Sequence, residues 1–108
     1  MKTKTIINPA IQRLTQKMLT VGNPLKIILF GSRARGDSQP GSDYDFLIIE
    51  PSDEKRYKRA AKYRRALKNI PGAKDILVWT PEEVTAWQEV PNSFIATVLT
   101  EGILVYEK

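Results

Sequence analysis

KIILFGSRARGDSQPGSDYDFLIIE, residues 26–50, places two short apolar runs on either side of a polar, glycine-rich segment. The first run, Ile27-Ile28-Leu29-Phe30, stops at Gly31-Ser32. The second, Phe46-Leu47-Ile48-Ile49, begins directly behind Asp43 and Asp45. Both runs are short, rich in Ile and bounded by turn residues, which predicts buried strands rather than helices. Side chains alternate along a strand, so Asp43 and Asp45 point to one side. Two carboxylates held that way repel each other and lose water, and something cationic must offset the cost. Hard oxygen ligands select a divalent cation such as Mg²⁺ or Mn²⁺. Gly31-Ser32 leaves the neighbouring strand and opens a short helix, where free N–H groups favour a phosphate and glycine lets it approach the backbone. A phosphate cradle beside a metal–carboxylate pair suits transfer of a nucleotidyl group. The plainer alternative is that Asp43 caps the turn after Pro40-Gly41-Ser42 while Asp45 is a solvated edge residue.

Working outward, residues 8–21 (NPAIQRLTQKMLTV) have the features of a helix. Asn8 can cap it, Pro9 suits its first turn, Gly22 follows its end, and Ile11, Leu14, Met18 and Val21 form an apolar stripe. Ser32 to about Asp37 should form one or two helical turns carrying Arg33 and Arg35. Each arginine either holds a nucleotide phosphate or is a surface residue paired with Asp37. Arg35-Gly36-Asp37 spells an adhesion tripeptide by coincidence, and the segment lacks the Lys-Ser/Thr of a Walker A loop. Tyr44 points away from the two aspartates, toward packing. A helix is expected from Asp53-Glu54 to about Asn69, with Tyr57, Ala60, Ala61, Leu67 and Ile70 on its core face. Lys55, Lys58, Lys62 and Arg65 would form its exposed basic stripe, with Arg56 and Arg59 beside it. That stripe is a solvated face, a surface for an acidic partner, or a contact for a nucleic-acid backbone; no aromatic platform is expected among the basic residues. Lys74 to Thr80 is a third strand with Asp75 near its start. Thr80-Pro81-Glu82-Glu83 opens another helix, on which Val84 and Trp87 pack inward. Asn92 or Ser93 caps a further helix bearing Phe94, Ile95, Val98 and Leu99, which Gly102 ends. Ile103 to Tyr106 is the last strand.

Length and composition narrow the chemistry. The 108 residues fit one small domain, 1–108, with 42% hydrophobic and 27% charged residues, ordinary for a globular chain. No apolar run is long enough for a membrane span, and MKTKTIINPAIQ lacks the apolar centre of a signal peptide, so a cytoplasmic location is expected. There is no Cys and no His. Disulfides, thiolate zinc sites, Cys nucleophiles and the Ser-His-Asp triad are thereby excluded, and any acid–base or metal chemistry falls to carboxylates, Lys, Tyr or water. The net charge of +5 is local: residues 55–68 contain eight of the 17 basic residues and none of the 12 acidic ones.

Gly31-Ser32, ten intervening residues, and Asp43-Tyr44-Asp45 resemble the signature of the nucleotidyltransferase superfamily that includes DNA polymerase beta. GSRARGD…SDYDFLI and the C-terminal PNSFIATVLTEGILVYE resemble its minimal nucleotidyltransferase (MNT) branch. The resemblance implies an α/β (α+β) fold with a mixed sheet of about four strands and helices mainly on one face. It implies that Asp43, Asp45 and Asp75 hold two Mg²⁺, or Mn²⁺, and that Gly31 and Ser32 grip the phosphates of ATP, with Arg33 or Arg35 assisting. For Asp75 the plainer alternative is a strand-end residue making a turn contact, although Asp is depleted in strands. The resemblance further implies transfer of AMP to a hydroxyl, on Tyr, of a HEPN-domain toxin that such domains accompany as antitoxins. A non-catalytic antitoxin that only docks, and an RNA-binding or RNA-modifying domain, remain alternatives.

Overall fold

A computed structural model describes residues 2–3, as backbone, and residues 8–108. The rest of the N-terminal stretch read above for a signal peptide lies outside the described residues. The elements run β1 (Lys2–Thr3), α1 (Pro9–Leu19), β2 (Lys26–Phe30), α2 (Ser32–Arg35), β3 (Tyr44–Ile49), α3 (Arg56–Arg59), α4 (Ala61–Leu67), β4 (Lys74–Trp79), α5 (Pro81–Trp87), α6 (Phe94–Glu101) and β5 (Ile103–Glu107). The sheet order is β1-β5-β2-β3-β4. β2 is antiparallel to both β3 and β5, whereas β3–β4 and β1–β5 are parallel, so the sheet is mixed as expected. Its four longer strands fall where the sequence placed them, and β1 adds two residues at one edge.

The central strands are apolar on both faces because both faces are covered. Ile27, Leu29, Phe46, Ile48, Ile76 and Val78 meet Leu14 and Met18 of α1 and Tyr63 and Leu67 of α4 in the larger core. Ile28, Leu47 and Ile49 face the other way, against Val84 of α5 and Ile95 and Val98 of α6. The larger helical layer does lie on one face, but α5 and α6 form a second, so the sheet is sandwiched more fully than expected. Alternation alone explains it: successive residues of Ile27-Ile28-Leu29 and Phe46-Leu47-Ile48-Ile49 need apolar partners on opposite sides.

Caps set the helix starts. The Asn8 side chain accepts from the Ile11 N–H at 2.8 Å, and the Ser93 hydroxyl accepts from the Ala96 N–H at 3.1 Å. At α5, Thr80 Oγ1 accepts from the Glu83 N–H at 3.2 Å while Glu83 Oε1 accepts from the Thr80 N–H at 2.9 Å, a capping box. Val21, expected in the α1 stripe, is 40% exposed because the helix ends at Leu19 and the chain turns before it.

The single helix expected over 53–69 is also corrected. Asp53-Glu54 lie in a bend, and the helix breaks at Ala60 into α3 and α4. The break turns Arg59 inward. Its Nε donates to Glu54 O at 2.9 Å, and its Nη1 donates to Val78 O at 3.3 Å and to Glu83 Oε1 at 2.7 Å. Residues two apart on a helix point away from each other. With Arg59 inside, Tyr57 is therefore outside and 71% exposed, contrary to the core placement expected for it. On α4, Tyr63 donates a short hydrogen bond to Glu50, whose other oxygen accepts from Lys62 at 2.6 Å. Burial, then that bond, pushes the Tyr63 hydroxyl pKa up.

The Arg59 guanidinium beside Glu83 holds the Glu83 carboxyl well below its ordinary value of 4.5, at about 2, with the Thr80 N–H and Arg56 assisting against partial desolvation. The ionised form is thus favoured by folding. This contribution is full above the unfolded value near 4.5 and is lost as pH falls toward about 2. Glu83→Gln is expected to lower unfolding free energy at pH 7 by about 2 kcal/mol, because it strands a buried guanidinium at a half-buried site. In denaturant titrations the gap between wild type and variant should narrow steadily below pH 4.5 and close near pH 2.

Candidate functional site

β2, β3 and β4 bring their ends together at one end of the sheet. Phe30 at the close of β2 pairs with Asp45 on β3. Asp45 pairs in register with Asp75 across the parallel β3–β4 ladder. In-register neighbours share a face, so the two carboxylates sit side by side on the face of Leu47, Ile49 and the α5–α6 layer. Asp43 is exposed just before β3. Burial raises the Asp45 pKa, and the charges of Asp75 and then Asp43 raise it further, while Arg35 opposes them. The structure thus brings Asp75 and Asp43, both picked out in the sequence, within electrostatic reach of Asp45.

Gly31 ties the β2 turn to this group. Its φ of +76° and ψ of −158° lie in a region essentially reserved for glycine. A Cβ on Gly31 would also collide with Asp45 Oδ2. Glycine is therefore needed here both for the turn and for the approach of backbone to carboxylate. Ser32 opens α2, and its carbonyl accepts from the Gly36 N–H at 3.0 Å and the Asp37 N–H at 3.1 Å.

The two arginines separate in role. Arg33 donates to Ser42 O from Nε at 3.2 Å and from Nη2 at 2.9 Å, and its guanidinium lies 3.9 Å from the centroid of the Tyr44 ring. It is committed to holding the 36–42 loop against the start of β3. Arg35 is exposed and bonded to Asp37 at 3.4 Å, as one sequence reading had it, yet it also acts on Asp45.

The donor set suits divalent cations: three carboxylates, hard oxygen only, and an ionisation cost on Asp45 that a cation would remove. Among the described residues no three His, Cys, Asp or Glu side chains are arranged to enclose an ion by themselves. A cation here would need further ligands, which phosphate oxygens can supply.

Sequence reasoning missed an aromatic cleft on the same face. Trp79, Trp87 and Phe94 line about 300 Å³ beside Arg56, whose guanidinium stacks 4.1 Å from the Trp79 ring. The Phe94 ring packs edge-on to Phe30 at 5.5 Å, next to the carboxylates in the sheet. Trp87, expected to pack inward, is 48% exposed, and Phe94 is 42% exposed. Their helical spacing signals a buried stripe, but helices of seven and eight residues leave their ends open.

The nucleotidyltransferase domain family matches the chain over residues 11–104. A candidate nucleotidyltransferase from Sulfolobus solfataricus shares the fold at a TM-score of 0.65 and 22% identity, over 92% of this chain and 78% of that one. A chain of a toxin–antitoxin structure containing AMP-PNP aligns at a TM-score of 0.59 and 17% identity, over 92% of this chain and 72% of that one. No curated protein matches the sequence.

Two substitutions probe the geometry. Because the folded state raises the Asp45 pKa, its ionised form weakens the fold above that raised value, and the penalty disappears as pH falls below the ordinary 3.8. Without divalent cations, Asp45→Asn is therefore expected to raise Tm at pH 7, with the gain vanishing in acid. Gly31→Ala should lose roughly 2 kcal/mol of stability, measured by denaturant unfolding, from the strained φ and the collision with Asp45.

Proposed function

The chain belongs to the nucleotidyltransferase domain family, and on that premise we propose that it transfers AMP from ATP to a hydroxyl, most plausibly of Tyr, on a partner protein. The partner fits a HEPN-domain toxin, with this chain as its antitoxin; the fold it shares with a chain of a toxin–antitoxin structure supports that reading. The observation that carries the chemistry is the in-register pairing of Asp45 with Asp75, with Asp43 close by and Gly31 pressed against Asp45.

In this reading Asp43, Asp45 and Asp75 hold two divalent cations, Mg²⁺ or Mn²⁺. Bound there, the cations supply Lewis-acid polarisation of the phosphates and acidify the acceptor hydroxyl. The Gly31 backbone and the start of α2 at Ser32 receive phosphate oxygens. Arg35 contributes positive charge from the loop side, whereas Arg33 positions the loop. The acceptor oxygen bonds to the α-phosphorus, the bond from that phosphorus to the bridging oxygen breaks, and pyrophosphate leaves. The hydroxyl proton passes to the Asp75 carboxylate and then to water. Raising the acceptor and the triphosphate side by side on β3 and β4 converts a bimolecular encounter into a positioned one.

The test is incubation with the protein encoded beside this one and Mg-ATP, followed by intact-mass measurement of that neighbour. A gain of one AMP, with pyrophosphate released in equal amount, is expected. Asp45→Asn and Asp75→Asn should each slow it by roughly 100-fold or more, as loss of a group acting on transition-state charge does. A tight complex whose mass never changes would instead identify an antitoxin that acts by docking alone.

A further inference from the structure

The basic segment 55–68 is not uniformly available. Arg56 and Arg59 are paired with Glu83, and Lys62 with Glu50. Lys55, Lys58, Arg64, Arg65 and Lys68 have no carboxylate within ion-pair distance among the described residues, and all five are exposed. Their mutual repulsion stabilises nothing within the fold, so an external polyanion is the natural counterpart.

The break at Ala60 adds the second element. It turns Tyr57 out to 71% exposure, the highest among the exposed large hydrophobic side chains. The ring lines a cleft of about 480 Å³ together with Glu54, Lys58, Arg59, Ala61, Lys62 and Arg65. The Lys58 ammonium lies 5.8 Å from the ring centroid. An exposed aromatic ring with cations beside it, of which Lys58 and Arg65 have no carboxylate partner among the described residues, is the pattern that receives unstacked bases and their phosphates. An acidic protein surface would use the same cations, and competition by polyglutamate together with Tyr57→Ala separates the two occupants. Helix α4 covers the larger core, while the aspartates belong to the opposite face of the sheet.

We propose that the Tyr57–Lys58–Arg65 cleft binds single-stranded nucleic acid, one base stacking on Tyr57 and the adjoining phosphodiesters meeting Lys58 and Arg65. This surface is separate from nucleotidyl transfer and stands or falls without it.

The experiment is fluorescence anisotropy of the full chain with labelled oligouridylate and oligothymidylate, titrated from about 50 mM salt upward. Binding to either strand should weaken roughly 10-fold in Tyr57→Ala, persist in Tyr57→Phe, and be unaffected in Asp45→Asn. Lys58→Gln with Arg65→Gln should reduce the slope of log affinity against log salt by roughly 1.4, for two lost phosphate contacts on a single strand. A preference between the two oligomers would tell RNA from DNA. No binding at the lowest salt overturns the proposal. So does affinity matched by polyglutamate and indifferent to Tyr57→Ala, which would make the cleft an acidic-protein surface.

Discussion

Two carboxylates held side by side on adjacent parallel strands, Asp45 and Asp75, are the constraint around which this molecule is built. Holding them there is costly: burial first, and then the charge of Asp75, raises the Asp45 pKa. They stay together because the rest of β3 and β4 is locked in register by apolar pairs on both faces, Phe46 beside Ile76 and Ile48 beside Val78 on one, Leu47 beside Leu77 on the other. A slip of one residue would send every one of those side chains to the wrong side. The core thus supplies the energy that keeps an unfavourable group intact, as is common where a site needs charge to be concentrated before its ligand arrives.

Much of this was legible in residues 26–50. The two Ile-rich runs read as buried strands, whereas the cover that α5 and α6 give the second face was not read from them. The period of two along Asp43-Tyr44-Asp45 was enough to put two acids together, whereas Asp75 entered through the family resemblance, its place in a strand marking it as unusual. Gly31 was read as a phosphate approach, and its contact with Asp45 gives the position a reason that holds before any ligand is bound.

What remained hidden follows from tertiary choices that periodicity does not encode. Nothing local distinguishes Arg59 from the basic residues around it, yet Arg59 is the one drawn under to reach Val78 and Glu83. Its inward turn goes with the break at Ala60 and with the exposure of Tyr57. Glu50 carried no local sign of its role either, because its partners, Tyr63 and Lys62, lie a helix away in sequence. Trp87 and Phe94 carry a core-like spacing on helices too short to hide them.

The reach of Arg59 has one more effect. The Ala73 and Trp79 carbonyls accept from Tyr44 and Glu50, so alternate β4 residues bond inward to β3. The Val78 carbonyl must then face outward, along the free margin of the sheet, and it is the group that Arg59 takes. An unfinished strand invites a neighbour to continue it, and a guanidinium plugged into that margin denies the invitation. The same residue that shapes the basic surface thereby guards the molecule against self-templated stacking.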